Sequence, residues 1–374
     1  MTSNQKIRVG VLFGGRSSEH EVSLMSARSV LSALSPEKYD IIPIGITHEG
    51  IWLTGEDALA AFESRSIESL KKVSLIPGPF GGMLYSLKSD QRGTILEAMT
   101  QLDVVFPVLH GTFGEDGTMQ GLLEISRIPY VGAGVLASSV CMDKALFKEV
   151  MRANNLPVLP SLTLTAAQLQ KDMDEALNRI EAFSGYPLFI KPANGGSSVG
   201  ISKCKNRSDL FEGLLEASRF DRRILVERGV SAREIEISVL GNANPEASLP
   251  GEIIPAAEFY SYDAKYYDEK TELVIPARLP EETIARVKDL AIRAYAATDC
   301  AGMARVDFLL DRESDELFIS EINTIPGFTK ISMYPKLWAV SGLPYPALLD
   351  RLIELALERK QETDRLEHIF RRVG

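Results

Sequence analysis

Four side chains in the C-terminal third could do chemistry together: Arg305 and Asp307 in "ARVDFLL", and Glu321 and Asn323 in "LFISEIN". Both runs read as strands, in which successive side chains point to opposite faces. Arg305 and Asp307 therefore share a face, as do Glu321 and Asn323. A hairpin that sets Asp307 opposite Glu321 brings both carboxylates and the amide oxygen together, whereas a slip of one residue sends them to opposite faces. Oxygen ligands that leave positions for phosphate and water are what Mg²⁺ accepts. The same letters also describe a plain alternation of charge on an exposed strand, and the pattern alone favours neither.

A second set of residues suits phosphate. "FIKPANGGSSVGISK" (189–203) is a Gly/Ser loop between two apolar runs, with Lys191 at its entrance. Glycine lets backbone N–H groups approach anionic oxygens, and Ser197 and Ser198 add hydroxyl and backbone donors. No G-K-[ST] closes the loop and no helix follows, so it is not a Walker A motif. It runs into the strand-like "VGISKCK", which makes it a hairpin loop. Lys191 ends an apolar strand, where a lysine is costly to bury unless paired. Lys144 opens a predicted helix over 143–155, against the helix dipole unless an anion is near. A further glycine run, "VGAGVLA" (131–137), matches G-x-G-x-x-[GA] through Gly132, Gly134 and Ala137. A dinucleotide site also needs an acidic residue on a second strand about 20 positions on. The sequence there is "MRANNLP", so a tight turn before a helix is the expectation.

These groups need a scaffold. Over the first 130 or so residues, "IRVGVLF", "DIIPIGIT", "DVVFPVLHG" and "IPYVG" alternate with helical spacing such as that of "HEVSLMSARSVLSAL". This predicts an open parallel sheet with ligands at the carboxyl ends of its strands. Two polar loops lie at those ends, 14–21 and 110–117. In "SSEHEVS", Ser18 and Glu21 have capping-box spacing, which leaves Glu19 over in the first turn. The stretch 62–100 lacks a clear period and reads as a surface insertion. Helical patterns recur around 166–183, near 208–218 and in "YPALLDRLIELALERK", and longer strands begin at 222.

Composition limits the function classes. A net charge of −10 over 374 residues argues against a nucleic-acid partner. No apolar run approaches the ~20 residues that span a bilayer, and the start has no signal-peptide pattern. Cys141, Cys204 and Cys300 are scattered and lack metal spacing, as expected of reduced thiols in the core of a cytoplasmic protein.

A glycine loop in a hairpin with a strand lysine just before it resembles the ATP-grasp fold, in which nucleotide lies between two α+β subdomains. The likeness then narrows. "GGRSSEHEVS", "HGTFGEDG", "CMDK", "KPANGGSSVG", "YDAKYYDE", "ARVDF" and "EINTIPGFT" occur together, in the order of the D-alanine–D-alanine ligases, from residue 14 to about 335. The resemblance implies an α/β protein with an open parallel-sheet domain (1–138) before a central (139–226) and a C-terminal (227–374) ATP-grasp subdomain. It makes the 62–100 stretch look like that of the larger subclass.

Site roles follow from the resemblance residue by residue. Lys144 and Lys191 match phosphate-binding lysines. Glu227 and the Val230 backbone match the linker that reads adenine, and Glu234 the acceptor for the ribose hydroxyls; without the resemblance both glutamates read as solvated charge. Asp307 and Glu321 match ligands of one Mg²⁺, and Glu321 and Asn323 those of a second, with Mn²⁺ as a substitute. Glu19 matches the carboxylate that holds the ammonium of the first D-alanine. His110 matches a histidine near the same substrate, although a lone histidine after a strand is more often structural. "EFYSYDAKYYDEK" (258–270) crowds four tyrosines into a polar, aperiodic segment, which suits a mobile cover. Lys265 and Tyr266 match the γ-phosphate lysine and bridging tyrosine of such a loop, and Tyr266, Ser197 and Glu19 a hydrogen-bonded trio that locks it. Arg305 and the Gly327 N–H match the donors for a tetrahedral oxyanion, and Ser332 with the Met333 backbone a cradle for the second carboxylate.

The implied activity is ATP-dependent joining of two D-alanines through an acyl phosphate, by a homodimer without nucleic-acid or membrane partners. A ligase of the same fold with a D-serine or D-lactate acceptor is the nearest competitor, though the tyrosine at 266 favours the dipeptide. A nicotinamide oxidoreductase built on 131–137 and a non-catalytic small-molecule binder are the readings from other classes.

Overall fold

The computed structural model describes residues 6–78, 81–91, 93–196, 199–255 and 271–367. The first of its three sheets contains β1 (Ile7–Gly14), β2 (Tyr39–Ile46), β3 (Trp52–Thr54), β4 (Lys71–Leu75), β5 (Met83–Asp90), β6 (Gly93–Gln101) and β7 (Val104–Pro107). Helices α1 (His20–Ala33) and α2 (Ala58–Glu63) connect its early strands. The spatial order is β6-β5-β4-β3-β2-β1-β7. The expected parallel sheet is present as β2–β1–β7, and β3 to β6 extend it antiparallel. The stretch 62–100 is thus not an irregular insertion but part of this sheet. Its period is hard to read because β6 is exposed along most of its length, while β4 and β5 bury only Val73, Leu75 and Leu84.

The entry to α1 differs from expectation. Glu19, not Ser18, is the N-cap, and no side chain caps the helix. The helix starts one residue later than the capping-box spacing assumes, so Glu21 falls one position short of the backbone N–H it would have to reach. Ser17 Oγ instead accepts from the Glu19 N–H at 3.1 Å.

Helices α3 (Thr118–Ile125), α4 (Val135–Met142) and α5 (Lys144–Ala153) lead to the second sheet. That sheet holds β8 (Ser161–Thr165), β9 (Leu188–Pro192), β10 (Ser202–Cys204) and β11 (Arg223–Arg228), antiparallel in the order β10-β9-β11-β8. Helices α6 (Ala166–Lys171), α7 (Met173–Phe183) and α8 (Arg207–Ser218) cover one face, where Leu177, Ile180, Leu210 and Leu214 pack on Leu164, Ile190 and Val226. The Gly/Ser loop joins β9 to β10, the hairpin that its sequence predicts. The 131–137 glycines form the turn before α4, with Gly134 as its N-cap.

The third sheet runs β15-β14-β12-β16-β17, with β13 (Glu246–Ala247) on β12. Its strands are β12 (Ala232–Gly241), β14 (Gly251–Ile254), β15 (Glu272–Val274), β16 (Gly302–Asp311) and β17 (Leu317–Asn323). Helix α9 (Glu281–Ala297) joins α4 and α5 on one face, around Phe147, Tyr295 and Phe308. After α10 (Met333–Val340), the last helix α11 (Tyr345–Asp364) returns to the first sheet. There Leu348, Leu352 and Ile353 share a core with Val9, Val11, Val104 and Phe106. Arg359 donates to the carbonyl of Tyr130 at 3.0 Å and to that of Gly132, which occupies carbonyls of the glycine turn. The three cysteines are free and buried. Among the described residues no helix is long and apolar enough to cross a membrane.

Candidate active site

The face of β12, β16 and β17 that carries Glu236, Asp307 and Glu321 is one wall of a cleft of about 1370 Å³. The cleft is lined also by the second sheet, by α1 and by the loops after β1 and β7, with Glu19, Lys191 and Glu321 among the residues. Asp307 lies opposite Glu321 and Arg305 opposite Asn323, the register that convergence requires. On the other side of β16, Glu236 of β12 also lies opposite Asp307. Three carboxylates thus stand in a row across adjacent strands, where like charges repel. Arg305 partly offsets them, donating to Asp307 through Nε at 2.7 Å and Nη2 at 2.6 Å, with Nε 3.0 Å from Glu236. Burial disfavours the guanidinium charge, but Asp307 and Glu236 outweigh it and hold Arg305 protonated. Asn323 donates to Asp307 at 2.9 Å; a half-turn of that amide presents its oxygen instead.

This donor set fits a hard dication: two carboxylates and an amide oxygen, all on a cleft wall, in an acidic row that a cation would relieve. The convergence depends on a bulge. Pairing passes from Asp307↔Glu321 to Phe308↔Ile319, so Ser320 is the extra residue in β17. It lets Leu317, Ile319 and Ile322 stay in the core while Glu321 and Asn323 face the cleft.

The facing cations come from β9 and α5. Lys144 sits at the first position of α5, where Asp143 caps the helix by accepting from the Leu146 N–H at 2.9 Å. Its ammonium donates to the Gly195 carbonyl at 2.9 Å and lies 3.3 Å from Glu321. It thereby links the glycine loop to the acidic wall. Lys191 pairs with Glu227 Oε2 at 2.5 Å, while Lys148 takes Glu227 Oε1. Glu227 is 4% exposed, so its bland reading as solvated charge is excluded. Burial by itself would raise this carboxyl, yet Lys191 and Lys148 hold it down at about 2. Burial lowers Lys148. Lys191 is raised, because Glu227, Glu321 and Glu234 outweigh its desolvation.

Lys148 is a residue that sequence reasoning missed. Its signal is the spacing of four from Lys144, on a helix face that otherwise buries Ala145, Phe147 and Met151. Glu236 was missed as well, although it sits two residues from Glu234 on the same strand face.

At the far end of the cleft Glu19 is buried, 6% exposed. A methyl group added at Gly196 would lie 2.7 Å from its Oε2, and one at Gly111 2.5 Å. The carboxylate therefore touches both the phosphate loop and the loop after β7. His110 donates from Nδ1 to the Ile325 carbonyl at 3.1 Å, and its Nε2 accepts from the Ser26 hydroxyl at 3.0 Å. Both ring nitrogens are engaged, so this geometry orients the loop rather than presenting a free base. A further tie is Glu115, which accepts from the N–H of Gly111 at 2.8 Å and of Ile325 at 3.1 Å. Gly327 and Ser332 are neighbours: a methyl at Gly327 would lie 2.9 Å from Ser332 Oγ. Ser332 N-caps α10, so the Met333 end of that helix opens on the cleft, as an anion site requires. Val230 and Glu234 also line the cleft. Ser197, Ser198, Lys265 and Tyr266 lie outside the described residues.

Both halves of the chain are similar to known proteins. Residues 8–133 match the family model "D-ala D-ala ligase N-terminus" and residues 150–354 "D-ala D-ala ligase C-terminus". The chain is 49% identical to the D-alanine–D-alanine ligase of Natranaerobius thermophilus, over 96% of this chain and 98% of that one. With the ligase of Caldicellulosiruptor bescii it shares 48% identity over 97% and 98%. Among solved structures, the D-alanine–D-alanine ligase from Coxiella burnetii superposes with a TM-score of 0.81 at 38% identity, covering 96% of each chain. The VanG D-Ala:D-Ser ligase from Enterococcus faecalis gives 0.83 at 34%, over 94% of this chain and all of that one. With both halves of the chain matched and relatives near half identity over nearly its whole length, this protein belongs to the D-alanine–D-alanine ligase family.

Proposed function

We propose that the protein joins two D-alanines into D-alanyl-D-alanine at the expense of ATP, for peptidoglycan synthesis. The observation that carries this reading is the cross-strand pairing of Asp307 with Glu321 on a cleft wall that faces Lys144, Lys191 and Glu19. Bound Mg²⁺ at Asp307, Glu321 and Asn323 would supply positive charge against the phosphate oxygens.

The chain's own residues do the rest. The first D-alanine lies with its ammonium at Glu19, and its carboxylate attacks the γ-phosphorus of ATP while ADP departs. Both reactants are anionic, and Lys144, Lys191 and Lys265 stabilise the charge that accumulates in transfer. Glu227, positioned by Lys148, and the Val230 backbone hold adenine, and Glu234 the ribose. The resulting acyl phosphate is destroyed by water, so Ser197, Ser198 and Tyr266 serve a cover that excludes it. The amine of the second D-alanine, its carboxylate at Ser332 and the Met333 N–H, then attacks the acyl carbon. Arg305 and the Gly327 N–H stabilise the oxyanion, and its collapse breaks the carbon–oxygen bond and expels phosphate. His110 and Glu115 orient the donor loop.

The division into 1–138, 139–226 and 227–374 belongs to this reading, supported by separate sheets spanning 7–107, 161–228 and 232–323. So do a homodimer, checked by sedimentation velocity, and a place in the cytoplasm beside the ATP supply. The test of function is phosphate release. It is expected only when ATP and D-alanine are both present, and mass spectrometry should find the dipeptide. Release with L-alanine alone contradicts the substrate assignment. The likeness to a D-Ala:D-Ser ligase makes D-serine the informative competing acceptor. Preferential D-alanyl-D-serine formation in an equimolar mixture would transfer the assignment to that product.

A further inference from the structure

We propose that His20, Glu21 and His48 form a binding site for a borderline transition-metal dication such as Zn²⁺ or Co²⁺, separate from the oxygen-rich cleft. One ligand atom from each residue lies within 4.8 Å of the others. Tetrahedral zinc with bonds of about 2.1 Å needs neighbouring ligand atoms about 3.4 Å apart. The site therefore closes by a side-chain adjustment, which the exposed Glu21 and His48 can make.

His20 supplies the fixed part. Its Nδ1 bonds the Gly15 carbonyl at 2.8 Å. A carbonyl only accepts, so Nδ1 carries the proton and Nε2 keeps its lone pair. This outer hydrogen bond, to a backbone carbonyl, is the usual partner of a metal-bound imidazole and sets its tautomer and direction. The ring is 5% exposed and stacks on His48 with centroids 3.9 Å apart and planes 25° from parallel. Binding tilts the exposed His48 ring until both nitrogen lone pairs meet. His48 stands on a tight turn, where Gly50 N–H donates to the Thr47 carbonyl and Thr47 N–H to that of Ile51, both at 2.9 Å.

Glu21 is available because the capping box does not form. The Glu49 carboxylate interacts electrostatically with both imidazoles, which adds negative charge beside a cation. Imidazole nitrogen suits Zn²⁺, Co²⁺ and Ni²⁺, whereas Mg²⁺ prefers oxygen alone. The two sites thus differ in the metal they select. A bound ion would pin the N-terminus of α1, one residue from Glu19, to the β2–β3 turn.

The test uses the full chain without nucleotide, in excess Mg²⁺, titrated with Co²⁺. The wild type is expected to develop the visible absorption of low-symmetry Co²⁺ at one equivalent, and Zn²⁺ should displace it. His48→Ala should abolish the band, and Glu21→Gln should weaken binding about tenfold. Both variants should retain the ligase activity of wild type assayed with Mg²⁺ as the sole dication, since neither residue lies in the cleft. No band in the wild type, or equal Co²⁺ binding by wild type and His48→Ala, overturns the proposal.

Discussion

Asp307 is the residue on which the chemistry turns. It meets Glu321 across the hairpin and takes both Arg305 nitrogens. Replacing it with asparagine keeps the shape and removes the charge. We expect Asp307→Asn to lower kcat by about 10²- to 10³-fold, the scale of losing one transition-state electrostatic partner, with an unchanged circular-dichroism spectrum. Lys148 makes a different contribution. Without it, Glu227 keeps Lys191 as its described lysine partner and is free to shift toward it. Lys148→Met should raise KM for ATP about tenfold, or ~1.4 kcal/mol, while kcat changes less, as steady-state kinetics will show. The same pair carries an acid dependence. Glu227 is held at about 2 against an ordinary 4.5, so its stabilisation is full above about 4.5 and is lost as pH falls toward 2. With one lysine gone its carboxyl rises, and acid unfolding of Lys148→Met should begin at higher pH. Asp307 and Glu321 read equally as charge on an exposed strand until the resemblance assigned them, whereas Lys191 was legible in the sequence because a lysine at the end of an apolar run is anomalous. Lys148 was not, since a lysine on an amphipathic helix looks solvated until the helix is docked.

The decisive element is the β16–β17 hairpin. Strict alternation through "LFISEIN" puts Leu317, Ile319, Glu321 and Asn323 on one face, which would bury two polar side chains with the core. The bulge at Ser320 resolves that conflict. Deleting Ser320 restores regular pairing, and in the shortened run Leu317, Ile319 and Ile322 alternate onto the core face while Glu321 and Asn323 stay on the cleft face. A folded variant by circular dichroism that retains measurable phosphate release is the expected outcome. A folded deletion variant without activity would show that the bulge itself, and not only the alternation on either side of it, is needed to place these ligands. The glycine loop and its hairpin were readable because the loop runs into a strand-like segment. Alternation alone posed the register of the metal pair as a choice and could not decide it, for a bulge leaves no signature in so short a run. The start of α1 failed for a related reason. Ser18 and Glu21 have capping-box spacing, yet a shift of one residue in the helix start removes the cap.

At the scale of the molecule, α11 couples the ends of the chain. Leu352 is fully buried where that helix meets β1 and β7, and Tyr39 and Lys38 bond Asp350 at 2.7 and 2.6 Å. Leu352→Ala should cost about 2–5 kcal/mol in chemical denaturation, the range for a buried leucine. Sequence periodicity identified α11 as a helix but could not say which sheet it covers, because an apolar stripe specifies a face and not its partner. The 62–100 strands escaped for the converse reason: the edge strand β6 is exposed on both faces and carries too little apolar pattern. The central claim is that the cleft passes phosphate to a carboxylate and then exchanges it for an amine. The most direct measurement uses D-alanine with ¹⁸O in its carboxylate and examines the released phosphate by ³¹P NMR. Transfer of one labelled oxygen into phosphate is the predicted result, since that oxygen attacks phosphorus and leaves with it; unlabelled phosphate alongside dipeptide would contradict the account.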